Sequence, residues 1–138
     1  MKRKTIKQLK DKLWSLFAPY IKDRDRGICK ACGRMVSGQN YHAGHLLPKS
    51  ICGVVLAFHP YNVWGECGNC NIWASGNGAL LNINVSKVVG YDVATYLQAI
   101  RLKTKDIQWE RKHLETLIEV LTNNPEDYAF RHKQIYEY

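Results

Sequence analysis

The sequence predicts an α+β fold: a core of short strands stapled by four cysteines, with one helix ahead of it and two or three behind. Three observations carry this expectation. Two C-x-x-C pairs bracket a segment whose own pattern is loop and strand. An amphipathic stripe precedes them, and the last third of the chain has helical periodicity with breakers between its segments. At 138 residues and 46% apolar composition the chain suits one globular domain, 1–138. Its core is expected at about 23–78 and its helical C-terminal part at about 90–138.

Residues 4–22 read as the first helix. Ile6, Leu9, Leu13, Leu16, Phe17 and Tyr20 recur at steps of three and four and line one face. Pro19 is expected to kink this helix or end it early. Lys4, Lys7, Lys10, Lys12 and Lys22 fall largely off the stripe, either as a solvated face or as contacts to phosphates. Residues 23–40 read as loop with short strands. Tyr41–Leu47 and Val54–Phe58 are the candidate strands of a hairpin. A helix is expected to begin near Cys67 or Cys70 and to end before the breaker Ser75-Gly76-Asn77-Gly78. Asp92–Lys103 is the next candidate helix. Asp106 is a plausible N-cap for a further one, with Ile107, Leu114, Leu117, Ile118 and Leu121 on its buried face. Asn123-Asn124-Pro125 ends it, and the tail offers one more short helix.

The formal net charge is +8, from 20 Lys and Arg against 12 Asp and Glu. Such a surplus favours a polyanionic partner, nucleic acid or an acidic membrane face. No apolar run approaches the roughly 18 residues needed to span a bilayer. The N-terminal MKRKTIKQLKDKLW is basic without the apolar stretch of a secretory signal. The expectation is a cytoplasmic protein with no membrane partner, its five cysteines kept reduced.

Cys29, Cys32, Cys67 and Cys70 form two C-x-x-C knuckles. Two knuckles supply the four soft ligands that tetrahedral zinc prefers, in a closed and therefore structural site. Buried thiols that merely pack are the alternative. Cys52 is left over as an unremarkable thiol. Between the knuckles lie 34 residues, and there the chemistry-bearing side chains cluster. His42, His45, Asn62 and Asn71 stand out. Hydrolysis of a phosphodiester needs a base for water and a divalent metal to polarise the phosphate. Histidine suits the first task, and an asparagine carbonyl oxygen can ligate the metal or orient the histidine. His59, His113 and His132 read as satisfied structural histidines. Trp64, Trp73 and Tyr61 read as packing for the zinc core, or else as stacking surfaces for bases.

The order C-x-x-C … G-H … N … C-x-x-C-N resembles the HNH nuclease motif. More narrowly it resembles the NinG/Rap family of phage recombination nucleases. The pieces are LWSLFAPYIKDRDRGICKACG, HAGH, FHPYNVWGECGNCN and SGN, within residues 13–78. The resemblance implies a zinc-stapled ββα-metal (HNH) core and a metal-dependent DNA endonuclease. It implies His45 as general base, Asn62 as the residue that orients it, and Asn71 as ligand of a catalytic magnesium or manganese. His42 falls where related sequences carry Asp, as a candidate second ligand. Arg24, Arg26, Arg34 and Lys49 lie near enough in sequence to contact phosphates flanking the cut. Two positions depart from the pattern: Gly44 stands where many such sites carry an acidic ligand, and Trp73 where a polar residue is common. The resemblance further implies branched or junction DNA as substrate, the host-cell cytoplasm for a phage-encoded chain, and room for a homodimer through the C-terminal helices. The rival readings are a non-catalytic zinc-stapled nucleic-acid-binding module and a protein with a decayed nuclease site, which Gly44 would suit.

Overall fold

The computed structural model describes residues 2–72 and 78–138. Helix α1 (Ile6–Asp25) opens on a capping box. The Gln8 N–H donates to the Thr5 hydroxyl at 3.1 Å, and the Thr5 N–H donates to the Gln8 side chain at 2.9 Å. The helix continues through Pro19 to Asp25, so the proline does not end it. Arg26 closes it in the left-handed conformation, φ 56°. Leu9, Leu13, Phe17 and Ile21 from the expected stripe are buried.

After the first knuckle and a short 3-10 turn come strand β1 (Tyr41–His45), helix α2 (Lys49–Ala57), strand β2 (Val63–Cys67) and helix α3 (Gly68–Ile72). The strands pair antiparallel, with His42 opposite Glu66, Gly44 opposite Trp64 and His45 opposite Val63. The second strand is therefore not Val54–Phe58, as the sequence suggested. That segment is helical and packs toward α5, after an interruption at Gly53 with φ 81°. Its short apolar run is ambiguous between strand and buried helix, and packing decides. The true β2 is buried at all five positions, so it shows no alternation to betray it.

Among the described residues four α-helices follow: α4 (Gly78–Val89), α5 (Val93–Lys103), α6 (Arg111–Asn123) and α7 (Tyr128–Tyr136). Helix α5 starts where expected, with Asp92 accepting from the Thr95 N–H at 3.0 Å. Helix α4 was not expected, and it supplies further caps. Ser86 accepts from the Val93 N–H and Asn82 from the Ala94 N–H, both at 2.9 Å. Asp106 is not the cap of α6. The chain makes a turn there, Ile107 N–H to Thr104 carbonyl at 3.1 Å, and α6 begins at Arg111. Trp73 and Asn77 lie outside the described residues. Among the described residues no helix is long and apolar enough to cross a membrane.

One buried carboxylate docks α1 onto the hairpin. Asp25 accepts from the backbone N–H of Gly65 at 2.7 Å and pairs with Arg24 at 2.7 Å. Arg24 also donates to the carbonyls of Pro60 and Val63 and lies over the Trp64 ring, 4.2 Å from its centroid. On the far side, α6 packs along α1 and α7 along α6. Helix α7 braces the connection between the strands. Tyr128 Oη donates to the Phe58 carbonyl at 2.7 Å, and His132 Nε2 donates to the Val55 carbonyl at 3.0 Å.

His132 is fully buried, its Nδ1 accepting from Tyr138 Oη at 2.7 Å, and its ring meets that of His59 at 5.2 Å. Burial pushes the His132 pKa down to about 3, although its bond to Val55 opposes this. Burial likewise lowers His59 well below the ordinary value, with His132 adding to the effect. An unfolded histidine takes its proton near 6.5, so between there and about pH 3 the unfolded chain binds more protons. Stability is therefore lost as pH falls through that window. Subtracting the stability of His132→Gln from that of the wild type cancels groups common to both chains. This difference should fall by about 2 kcal/mol between pH 7 and 5 in urea titrations. A difference that stays flat would mean that His132 is protonated in the native state.

Candidate functional site

The two knuckles meet because β2 runs straight from the hairpin into the second of them, while the first hangs from the end of α1. The Lys30 N–H donates to the Gly65 carbonyl at 2.8 Å, and Cys29 N–H to the Arg34 carbonyl at 2.8 Å. The four Sγ atoms of Cys29, Cys32, Cys67 and Cys70 all lie within 4.8 Å of one another. A tetrahedron of thiolates at about 2.3 Å from zinc has edges of about 3.8 Å, and Cys32 Sγ stands 3.9 Å from Cys67 Sγ. Each knuckle also turns a backbone N–H toward its first sulfur. Cys32 N–H points to Cys29 Sγ and Cys70 N–H to Cys67 Sγ, both at 3.5 Å. Burial raises the Cys29 thiol, but hydrogen bonds from the backbone of Cys32, Cys67 and Ala31 outweigh it and bring the pKa to about 7. Burial raises Cys32. The donor set fits zinc, and it excludes water from the coordination sphere in the manner of a structural site.

His45 is the last residue of β1 and lies against α1. Its imidazole stacks on Trp14, with ring centroids 5.5 Å apart and planes 14° from parallel. Nε2 lies 2.9 Å from the Ala57 carbonyl. A carbonyl only accepts, so Nε2 carries the proton and Nδ1 keeps its lone pair. Burial lowers the His45 pKa; the Ala57 bond works against this and the Lys49 charge works with it. The ring is therefore held neutral at pH 7, in one tautomer.

Asn62 is completely buried, and it makes no hydrogen bond to His45. Its Oδ1 accepts from Leu47 N–H at 2.7 Å, and its Nδ2 donates to the carbonyls of Leu47 and Leu56. It ties the two ends of the β1–β2 connection together, which places the Ala57 carbonyl next to His45. Its influence on the histidine runs through the main chain.

His42, Gly44 and Asn71 gather on the other face of the hairpin, under α3. Asn71 Nδ2 donates to His42 Nδ1 at 3.0 Å, and His42 Nε2 donates to the Gln39 carbonyl at 3.0 Å. Both ring nitrogens of His42 are thus engaged, and its visible task is to hold Asn71. Glu66 joins this group from β2. It is 2% exposed, and burial pushes its pKa up to about 7, with Cys29 adding in the same direction. Sequence reasoning passed over Glu66. Its one signal was a carboxylate in an otherwise apolar strand, directly before Cys67.

The expected phosphate contacts do not assemble. Arg24 is spent inside the fold, Arg26 is exposed at the end of α1, and Arg34 borders a groove beside Gly68 and Asn69. Lys49 alone shares a cleft with His45. That cleft, of about 700 Å³, is also lined by Lys7, Lys10, Arg101, Trp14 and Trp109. Lys10 sits 4.3 Å over the Trp109 ring, and Arg101 is held by the Ile51 carbonyl at 2.7 Å. The sequence could not group these cations, because α1, α2 and α5 bring them together from distant positions. Cys52 is buried, with Sγ 3.4 Å from the Gly53 carbonyl. His113 pairs with Glu110 at 3.0 Å.

Fold and donor set define the class: a mainly helical α+β protein whose two-stranded sheet carries a four-cysteine cluster able to hold a zinc ion. The family is more particular. The sequence model of the bacteriophage lambda NinG protein matches residues 1–125, and the chain belongs to that family. The match extends beyond residues 13–78 and takes in α4, α5 and α6. Neither the curated proteins nor the solved structures yield a match.

Proposed function

We propose that the chain is a metal-dependent DNA endonuclease of the HNH (ββα-metal) type, with a structural zinc, acting on branched or junction DNA in phage recombination. The observation that carries this reading is His45. It is a neutral imidazole, fixed in one tautomer by the Ala57 carbonyl, in a cleft bordered by Lys7, Lys10, Lys49 and Arg101. These cations suit a phosphate backbone, and they carry no sequence preference. His45 Nδ1 would take the proton of a water as its oxygen attacks phosphorus. The P–O3′ bond then breaks, leaving a 3′-hydroxyl and a 5′-phosphate. Asn71, on the other face of the hairpin from His45, would ligate a magnesium or manganese ion, and such an ion would supply positive charge to the phosphate. Membership of a phage family supports the recombination setting and the host-cell cytoplasm as the place of action. The C-terminal helices offer a surface for a homodimer on a branched substrate.

The test is cleavage of a four-way junction beside its matched duplex, with magnesium, manganese or EDTA. Metal-dependent cutting with a preference for the junction is expected. Tight binding without cutting under every metal condition would leave a zinc-stapled nucleic-acid-binding module in its place.

A further inference from the structure

We infer that Glu66 supplies the acidic metal ligand that position 44 lacks, so that Glu66 and Asn71 hold a divalent cation over Gly44. The inference deepens the endonuclease reading and rests on it for the cation's purpose, but the site itself stands on geometry. A Cβ built on Gly44 would overlap Glu66 Oε2 and stand 2.5 Å from Asn71 Oδ1. Both oxygens therefore converge on the space that an acidic side chain at position 44 would occupy. Gly44 is not a lost ligand; the carboxylate arrives from the neighbouring strand, through the diagonal contact between β1 and β2.

The orientation of Asn71 is decided by its neighbours. His42 Nε2–H is committed to the Gln39 carbonyl, so His42 Nδ1 can only accept, and it accepts from the Asn71 amide nitrogen. Asn71 must then turn its oxygen toward Glu66. Glu66 is 2% exposed, and Asn71 turns an oxygen toward its carboxylate rather than a donor. Two acceptors facing one point in a buried place are stabilised by positive charge between them. A hard divalent cation matches two oxygen ligands and leaves positions for water and phosphate oxygens. A proton on Glu66 is the alternative that the experiment must exclude.

Zinc-loaded protein is titrated with manganese(II), followed by electron paramagnetic resonance and calorimetry, with zinc content and melting temperature measured for each chain. Wild type should bind one manganese beyond its zinc. Glu66→Gln should weaken that binding at least 10-fold while keeping zinc and the melting temperature, because the glutamine amide can donate to Asn71 Oδ1. Glu115→Gln, an exposed change on α6, should leave it unchanged. Equal manganese affinity in wild type and Glu66→Gln, or no binding by wild type at millimolar metal, overturns the inference. The two readings fail separately. Manganese binding that depends on Glu66 in a chain that cuts no DNA sinks the nuclease and keeps the site. Cutting by a chain whose manganese affinity ignores Glu66 does the reverse.

Discussion

Removing zinc from the four cysteines should unfold the hairpin and both knuckles while leaving much of the helical content in place. The hairpin has two strands of five residues, too little to stand alone in water. Among its attachments are the Asp25 and Lys30 bonds to Gly65, the Arg24 bond to the Val63 carbonyl, the His45 ring on Trp14, and the four sulfurs. Structural zinc contributes about 10–16 kcal/mol of apparent binding energy in small zinc domains, as much as the whole stability of a typical protein. Helices α1, α6 and α7 bury their own apolar faces against one another, so they should persist. Elemental analysis should give one zinc per chain. After chelation, hydrogen exchange should lose protection over residues 28–72 with a much smaller loss over 111–136. A chain that carries no zinc and keeps its protection on chelation would mean that the thiols only pack.

His45→Ala should lower the cleavage rate by about 10²–10⁴-fold, the usual contribution of a positioned general base. The sharper variant is His45→Gln. Its amide can still donate to the Ala57 carbonyl, so the loop keeps its anchor while the base is gone. Rate loss in both variants with normal melting temperatures assigns the effect to proton transfer. The pH profile gives a second readout. A group whose pKa is depressed stays a base to lower pH, so the rate should hold from neutrality down and fall only below the ordinary histidine value of about 6.5. Lys49→Gln should move that acid limb upward, since the lysine charge disfavours the imidazolium. Wild-type rates in His45→Gln would remove His45 from the chemistry.

Glu66 and Arg101 mark where linear reading stops. Both are charged residues without a motif of their own, and each acquires meaning from a partner on another element. Glu66 needs Gly44 and Asn71 to become a candidate ligand, and Arg101 needs α2 and α1 to become part of a cleft. Arg24 errs in the other direction. Its place in a basic cluster suggested phosphate, yet four of its contacts turn inward, onto Asp25, Pro60, Val63 and Trp64.

Features that depend on local chemistry are legible in the order of residues alone. Thiol spacing announces a four-sulfur site, a three-and-four stripe announces α1, and Asp92 announces the start of α5. His42, His45 and Asn62 between the knuckles and Asn71 directly after the second also stand out, because that order is distinctive. Which residues pair was settled by the folded chain. It put the second strand at Val63–Cys67, made Val54–Ala57 helical, engaged both nitrogens of His42, and set the tautomer of His45 through the Ala57 carbonyl. The physical reason is range. Spacing and periodicity report on neighbours a few residues apart. A hydrogen bond from residue 45 to 57, or two oxygens meeting over Gly44, exists only once the chain has closed on itself.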